Sequence, residues 1–281
     1  MGNILWLASY PKSGNTWLRA FLANLAADRG VPLKPSELCE YGDAEARAER
    51  FTELAGKPST ALRPGELAAL RMEVHALIAG RAHGTQLVKT HNFNGTFDGH
   101  PLVNWQVSSG AIYVVRNPLD VVVSMTHHFG LTVDKAIGRL GDERVVSLND
   151  GVLVSDFIGS WSTHVKSWAD MAVRIPGKVI VLRYEDLLAK PEKHFAKAAK
   201  LIGCGYDKAR ITRAARHAAF HILAALEKKH GFVEAVDERT AFFNKGRANQ
   251  WRDALSPEEV QRIVKAHREQ MQRFKYLPTG V

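Results

Sequence analysis

The chain has 281 residues, 46% apolar and 24% charged, with 38 Lys and Arg against 29 Asp and Glu. That length can bury one large core, and the composition excludes a disordered or fibrous chain. The net charge of +9 favours polyanionic partners: nucleic acid, an anionic membrane surface or a highly phosphorylated small molecule. Cys39 and Cys204 stand far apart and outside any C-x-x-C pair, which argues against a disulfide framework or a structural zinc site. No basic n-region or cleavage site precedes the first apolar run, and no run approaches the roughly 20 residues that span a bilayer. The expectation is a cytoplasmic protein without an integral membrane segment.

The first element is the apolar run Ile4-Leu-Trp-Leu-Ala-Ser9, which has the length of a buried strand. It leads into Tyr10-Pro-Lys-Ser-Gly-Asn-Thr-Trp17, and then Leu18, Phe21, Leu22 and Leu25 recur at helical spacing. The unit reads strand, loop, helix, and its loop residues permit tight turns. Such a loop presents backbone N–H groups at a helix N-terminus, where an anion is well held. Compared with the nucleotide-binding pattern G-x-x-x-x-G-K-[ST], Gly14 and Thr16 are in register, but Ser9 replaces the first Gly and Asn15 the Lys. The cation stands at Lys12 instead.

Residues 30–85 read as short helices, with starts near Ser36, Thr60 and Pro64. A second strand, Gln86–Thr90, ends in Lys89-Thr90-His91, and a third, Gly110–Val115, ends in Arg116-Asn-Pro-Leu-Asp120 before a helix through Val121 to Met125. Residues 156–171 read as an amphipathic helix with Phe157, Trp161, Val165 and Trp168 along a core-packing face. A fourth strand, Val179–Leu182, ends in Arg183-Tyr-Glu-Asp186. Helices then alternate with a loop at 229–250, and a capping box with Pro, Ser256-Pro-Glu-Glu259, opens the last helix. Continuous apolar strands with long connections imply helical crossovers. The expected fold is therefore α/β: a single domain over 1–281 with a central, mostly parallel β-sheet flanked by helices and a P-loop-like strand-loop-helix at its N-terminus. Every strand ends in polar or charged residues, at the edge where open α/β sheets bind ligands.

Tyr10–Trp17 resembles the 5′-phosphosulfate loop of the cytosolic-type sulfotransferases, which use 3′-phosphoadenosine 5′-phosphosulfate (PAPS) as sulfuryl donor. Arg116-Asn-Pro-Leu-Asp-Val-Val-Val-Ser124 resembles the family's 3′-phosphate motif, R-x-x-x-D-x-x-x-S, and an Arg fork with a hydroxyl suits a phosphate dianion. Lys89-Thr90-His91 resembles the segment with the catalytic His, although Asn92-Phe93 stands where the family commonly has a nearby Pro. Asn244-Lys-Gly-Arg-Ala-Asn-Gln-Trp251 resembles the R-K-G-x-x-G-D-W loop, matching at Lys245, Gly246 and Trp251 and departing at Asn244, Asn249 and Gln250. Either Asn244 or Arg247 stands in for the family's leading Arg.

The resemblance implies sulfuryl transfer to a hydroxyl, in preference to an amine, of a small-molecule acceptor. His91 is the expected general base, with Lys12 and Lys89 as charge-stabilising partners. Lys12, Ser13, Gly14, Asn15 and Thr16 are expected at the 5′-phosphate, and Arg116, Ser124, Asn244, Lys245 and Gly246 at the 3′-phosphate. Trp17, Tyr184 and Phe220 are expected around the adenine. No metal and no nucleic-acid partner are expected, and oligomeric state is open. Two readings compete: a P-loop kinase or NTPase with Glu185 or Asp186 as magnesium ligand, and a non-enzymatic nucleic-acid-binding protein.

Overall fold

The computed structural model describes residues 3–205, 207–232, 234, 241–243 and 246–279. The strands are β1 Asn3–Ser9, β2 Asp43–Ala44, β3 Thr85–Thr90, β4 Thr96–Phe97, β5 His100–Pro101, β6 Ser108–Val115 and β7 Val179–Arg183. The helices are α1 Asn15–Ala27, α2 Ala48–Ala55, α3 Pro64–Arg81, α4 Pro118–Phe129, α5 Val133–Gly141, α6 Trp161–Arg174, α7 Tyr184–Ala189, α8 Pro191–Leu201, α9 Lys208–His217, α10 Phe220–His230 and α11 Pro257–Arg273. The central sheet runs in the order β2-β3-β1-β6-β7, and β4 and β5 form a separate antiparallel hairpin. β1 and β3 pair in parallel from Asn3↔Thr85 to Ala8↔Thr90, and β2 joins β3 in parallel. This is the α/β fold with a central parallel sheet and flanking helices that the apolar runs imply.

The chain divides into two compact units interleaved in sequence. Residues up to Tyr10, Asp43–Tyr113 and Gly141–Val181 form the first; Pro11–Gly42, Val114–Leu140 and residues from Leu182 on form the second. In the first, Trp6, Phe51, Phe157, Trp161 and Trp168 are buried together with Arg71. Trp6 donates through Nε1 to the Ser108 hydroxyl at 2.7 Å, which satisfies the polar atom of a fully buried indole. In the second, Phe21 of α1 stacks on Phe195 of α8 at 4.1 Å, so the helix that opens the chain is locked by an aromatic pair.

The four expected strands all form. The expected helix over 156–171 starts later, at Trp161, for a physical reason. Gly159 takes a left-handed φ of 64°, and the Ser160 hydroxyl accepts from the Thr163 N–H as N-cap. Phe157 instead bridges to Val146 in extended conformation, which leaves Asp156 outside the helix. The caps of α4 and α11 follow the sequence signals. The Asn117 side chain accepts from Leu119 N–H ahead of Pro118, and Ser256 and Glu259 form the reciprocal capping box.

Candidate functional site

In the second unit, the loop after β1 is shaped by alternating backbone hands. Lys12 and Gly14 adopt left-handed φ values of 65° and 105° on either side of Ser13. That alternation turns successive N–H groups toward one concavity, a backbone nest for an anion. Gly14 is also the N-cap of α1 and offers no side-chain acceptor to the first turn of the helix. The Ser13 hydroxyl is buried and has no partner among the described residues. A buried hydroxyl without a partner carries a desolvation penalty of about 1–3 kcal/mol that a bound oxyanion relieves. The residues present therefore fit a phosphate group.

Tyr184 organises the rest of this half. A Cβ on Gly14 would lie 2.8 Å from the Tyr184 ring, so the tyrosine packs where only glycine leaves room. The Arg116 guanidinium lies 4.5 Å from the centre of the same ring, and its Nη1 donates to the Lys12 carbonyl at 2.9 Å. Its Nε is buried without a partner among the described residues. The Trp17 ring meets Tyr184 edge-on at 5.6 Å, and its Nε1 is likewise buried without a described partner. Ser124 is half-buried on α4. Lys12 Nζ lies 4.3 Å from the centre of the Phe242 ring. The Thr16 hydroxyl donates to a carboxylate oxygen of Glu234 at 3.2 Å, and Arg19 pairs with the other oxygen at 2.5 Å. An anionic group thus already sits against the threonine.

The loop that follows is tied down by the aspartate of the Arg116–Ser124 motif. The Asp120 carboxylate accepts from the N–H groups of Asn249 at 2.7 Å and Trp251 at 3.1 Å. Asp120 therefore holds a loop. Asn249 stands where the family pattern has Gly, and its φ of 63° explains why asparagine serves. A Cβ on Gly246 would lie 2.1 Å from the Phe220 ring, so Phe220 packs directly beneath that glycine. Asn244 and Lys245 lie outside the described residues. Glu185, the magnesium ligand of the kinase reading, accepts from Asn117 N–H at 2.9 Å and from the Tyr276 hydroxyl at 2.7 Å, so protein donors engage both its oxygens. Asp186 pairs with Arg183.

In the first unit, His91 follows β3 and its Nδ1 lies 2.7 Å from the Ser9 carbonyl. A carbonyl only accepts, so Nδ1 carries the hydrogen and Nε2 carries the lone pair of the neutral ring. That tautomer suits a base acting through Nε2. Ser9 ends β1, and three residues later the chain reaches Lys12. Lys89, on β3, is half-buried and pairs in register with Leu7.

The segment carrying His91 is held at nearly every polar atom. The Thr90 hydroxyl accepts from Asn92 N–H at 3.0 Å and donates to Glu45 at 2.7 Å. The Asn92 amide donates to the same Glu45 oxygen, while its own oxygen accepts from Phe157 N–H at 2.6 Å. His91 N–H bonds to Asp156, and the His91 carbonyl accepts from His164 Nε2 at 3.1 Å. Trp168 Nε1 donates to the Asn92 carbonyl at 3.0 Å, so the amphipathic helix brings hydrogen-bond donors as well as bulk to this strand end. Burial holds His164 down at about 3, which keeps it neutral, and its Nδ1 accepts from the Tyr113 hydroxyl at 2.9 Å. Burial pushes Asp156 up to about 6, and the Glu45 charge adds to the rise against the pull of Arg71, Lys89 and the His91 N–H. Glu45, Asp156 and His164 escape sequence reading. The one available signal is a histidine, His164, on the apolar Trp161–Trp168 stripe of α6.

The sulfotransferase domain family matches residues 3–275 of the chain. Sulfotransferase 1B1 of Mus musculus is 24% identical over 270 residues, covering 94% of this chain and 81% of that protein. Cytosolic sulfotransferase 13 of Arabidopsis thaliana is 25% identical over 272 residues, covering 94% and 76%. Among solved structures, mouse sulfotransferase SULT7A1 complexed with PAP aligns at TM-score 0.63 with 21% identity, covering 97% of this chain and 85% of that one. A retinol dehydratase in complex with androsterone and PAP aligns at TM-score 0.65 with 18% identity, covering 96% and 80%. At these identities the structural likeness establishes the fold.

Proposed function

The chain belongs to the sulfotransferase family, and on that premise we propose that it moves the sulfuryl group of PAPS to a hydroxyl of a small-molecule acceptor by in-line transfer, with the 1–281 chain acting as one catalytic domain. The observation that carries this reading is the nest at Lys12–Gly14, with its buried, unpartnered Ser13 hydroxyl and the Arg116 fork held by Tyr184. The two similar structures named above hold PAP, which is the product such a donor leaves. One of them holds androsterone as well, and another retinol dehydratase structure holds retinol, in keeping with a small hydroxylated acceptor. The cytosolic names of the plant relatives support the cytoplasm as the compartment, and among the described residues no helix is long and apolar enough to cross a membrane.

PAPS supplies an activated sulfur–oxygen bond. His91 Nε2 takes the acceptor proton as the acceptor oxygen bonds to sulfur and the bond to the bridging oxygen breaks. Lys12 offsets charge on the departing oxygen, and Lys89 shares charge on the sulfuryl oxygens. Backbone N–H groups from Ser13 to Thr16 hold the 5′-phosphate, and the Thr16 hydroxyl joins them on giving up its bond to Glu234. Arg116, Ser124, Asn244, Lys245 and Gly246 are the proposed 3′-phosphate residues. Trp17, Tyr184 and Phe220 contact the adenine. No metal is required by these roles, and the basic charge serves the nucleotide rather than a nucleic acid.

Calorimetric titration with PAP, AMP and ATP–magnesium tests the reading. PAP is expected to bind at least tenfold more tightly than AMP, without magnesium. Preference for ATP–magnesium would return the kinase reading, and absence of any nucleotide binding would overturn both.

A further inference from the structure

Glu45 follows the short edge strand β2, and its N–H bonds to the Lys89 carbonyl at 3.3 Å. Its carboxylate is fully buried and gathers four donors. One oxygen receives Arg71 Nη1 at 2.5 Å and His75 Nε2 at 2.8 Å. The other receives the Thr90 hydroxyl and the Asn92 amide, the residues on either side of His91. Asn104 N–H gives to His75 Nδ1 at 3.3 Å, which leaves Nε2 as the nitrogen that donates to Glu45. A buried carboxylate needs this many partners to remain charged. Burial raises Glu45, but Arg71, His75 and Thr90 outweigh it and hold the carboxyl at about 2.

Only half of these contacts serve the core. The Arg71 and His75 contacts anchor Glu45 to α3, and the Thr90 and Asn92 contacts pass that anchorage to the strand end. We propose that Glu45 is a positioning residue for His91: it clamps Thr90 and Asn92 so that the imidazole between them reaches the Ser9 carbonyl and is locked with its hydrogen on Nδ1. Nothing in the chain pattern marks this role, since Glu45 lies far from His91 in sequence. Fixing a base by its neighbours' side chains is how a site on a loop acquires the rigidity of the sheet beneath it. The catalytic meaning rests on the reading of His91 as general base, whereas the clamp itself does not.

The test is side-chain nitrogen NMR of the full chain labelled at histidine, with the His91 signals assigned by loss in His91→Gln. The unaltered protein is expected to show a single neutral His91 tautomer, protonated at Nδ1. Glu45→Gln is expected to give a mixed tautomer at His91. Glu45→Gln leaves the Arg71 charge without its counterion, so that variant carries a folding risk. Thr90→Val avoids it by sparing the Arg71 and His75 contacts, and is expected to shift the His91 tautomer in the same direction. A single Nδ1–H tautomer that persists in folded Thr90→Val, and in Glu45→Gln where it folds, would overturn the proposal. PAPS turnover by His91→Ala is a separate arm. Wild-type turnover there would remove the base reading and the catalytic purpose of the clamp, while the tautomer shift would still establish the clamp.

Discussion

The segment around His91 and the loop from Lys12 to Trp17 both follow a strand of the parallel sheet, yet they treat their polar atoms in opposite ways. Around His91, the N–H of residue 91, the carbonyls of residues 91 and 92, and the side chains of Thr90 and Asn92 all meet protein partners. In the Lys12–Trp17 loop, the Ser13 hydroxyl and Trp17 Nε1 are buried without a described partner, as is Nε of Arg116, whose Nη1 donates to the Lys12 carbonyl. A group that must deliver one lone pair in one direction gains from being fully held. A surface that must receive an anion gains from donors that only the anion completes. Under the proposed function, the first region serves preorganisation and the second binding.

The largest expected effect sharpens the first side of that comparison. His91→Ala should lower kcat by about 10²–10⁴, the usual worth of a general base, while calorimetry finds PAP affinity within twofold of the unaltered protein. A matching loss of PAP affinity would erase the division of labour between the two regions.

Arg116→Lys probes the second side. The substitution keeps the charge but loses the fork and the guanidinium contact with the Tyr184 ring. PAP affinity should fall about 10–100-fold, from about 1.5–3 kcal/mol for a charged hydrogen bond, with AMP affinity little changed. An equal loss for AMP would place Arg116 away from the 3′-phosphate.

The smallest effect is in stability. Unfolded His164 takes a proton as pH falls below its ordinary value of 6.5, whereas the buried ring refuses it until about 3. Its folded-state value is depressed, so its contribution to stability is complete above 6.5. That contribution is lost as pH falls, by at most about 1.4 kcal/mol per pH unit. Asp156 works the other way: its raised value makes the folded chain bind the extra proton between 3.8 and about 6. Urea unfolding of His164→Phe should show a flatter acid limb than the unaltered protein, and Asp156→Asn a steeper one. Parallel acid limbs in all three proteins would mean that neither group is buried as described.

The loop, strands and caps were readable because each depends on neighbours in the chain. An apolar run before Tyr10-Pro-Lys-Ser-Gly specifies strand, turn and helix through local sterics, and Ser256-Pro-Glu-Glu259 specifies a helix start through its own side chains. The pattern predicts a helix at 156–171 that starts too early, because Gly159 and Ser160 act as a break only when Asp156 and Phe157 have something to meet. They meet His91 and Asn92, some 65 positions away.

By itself the sequence determined the α/β order of elements and the family, since motifs and periodicities are properties of short stretches. Only the tertiary structure decided that Asp120 ties down the 249–251 loop, that Tyr184 supports both Gly14 and Arg116, and that Glu45, Asp156 and His164 surround the His91 segment. A buried hydrogen bond needs a donor, an acceptor and exclusion of water at one point in space, and the folded arrangement of distant residues fixes that point.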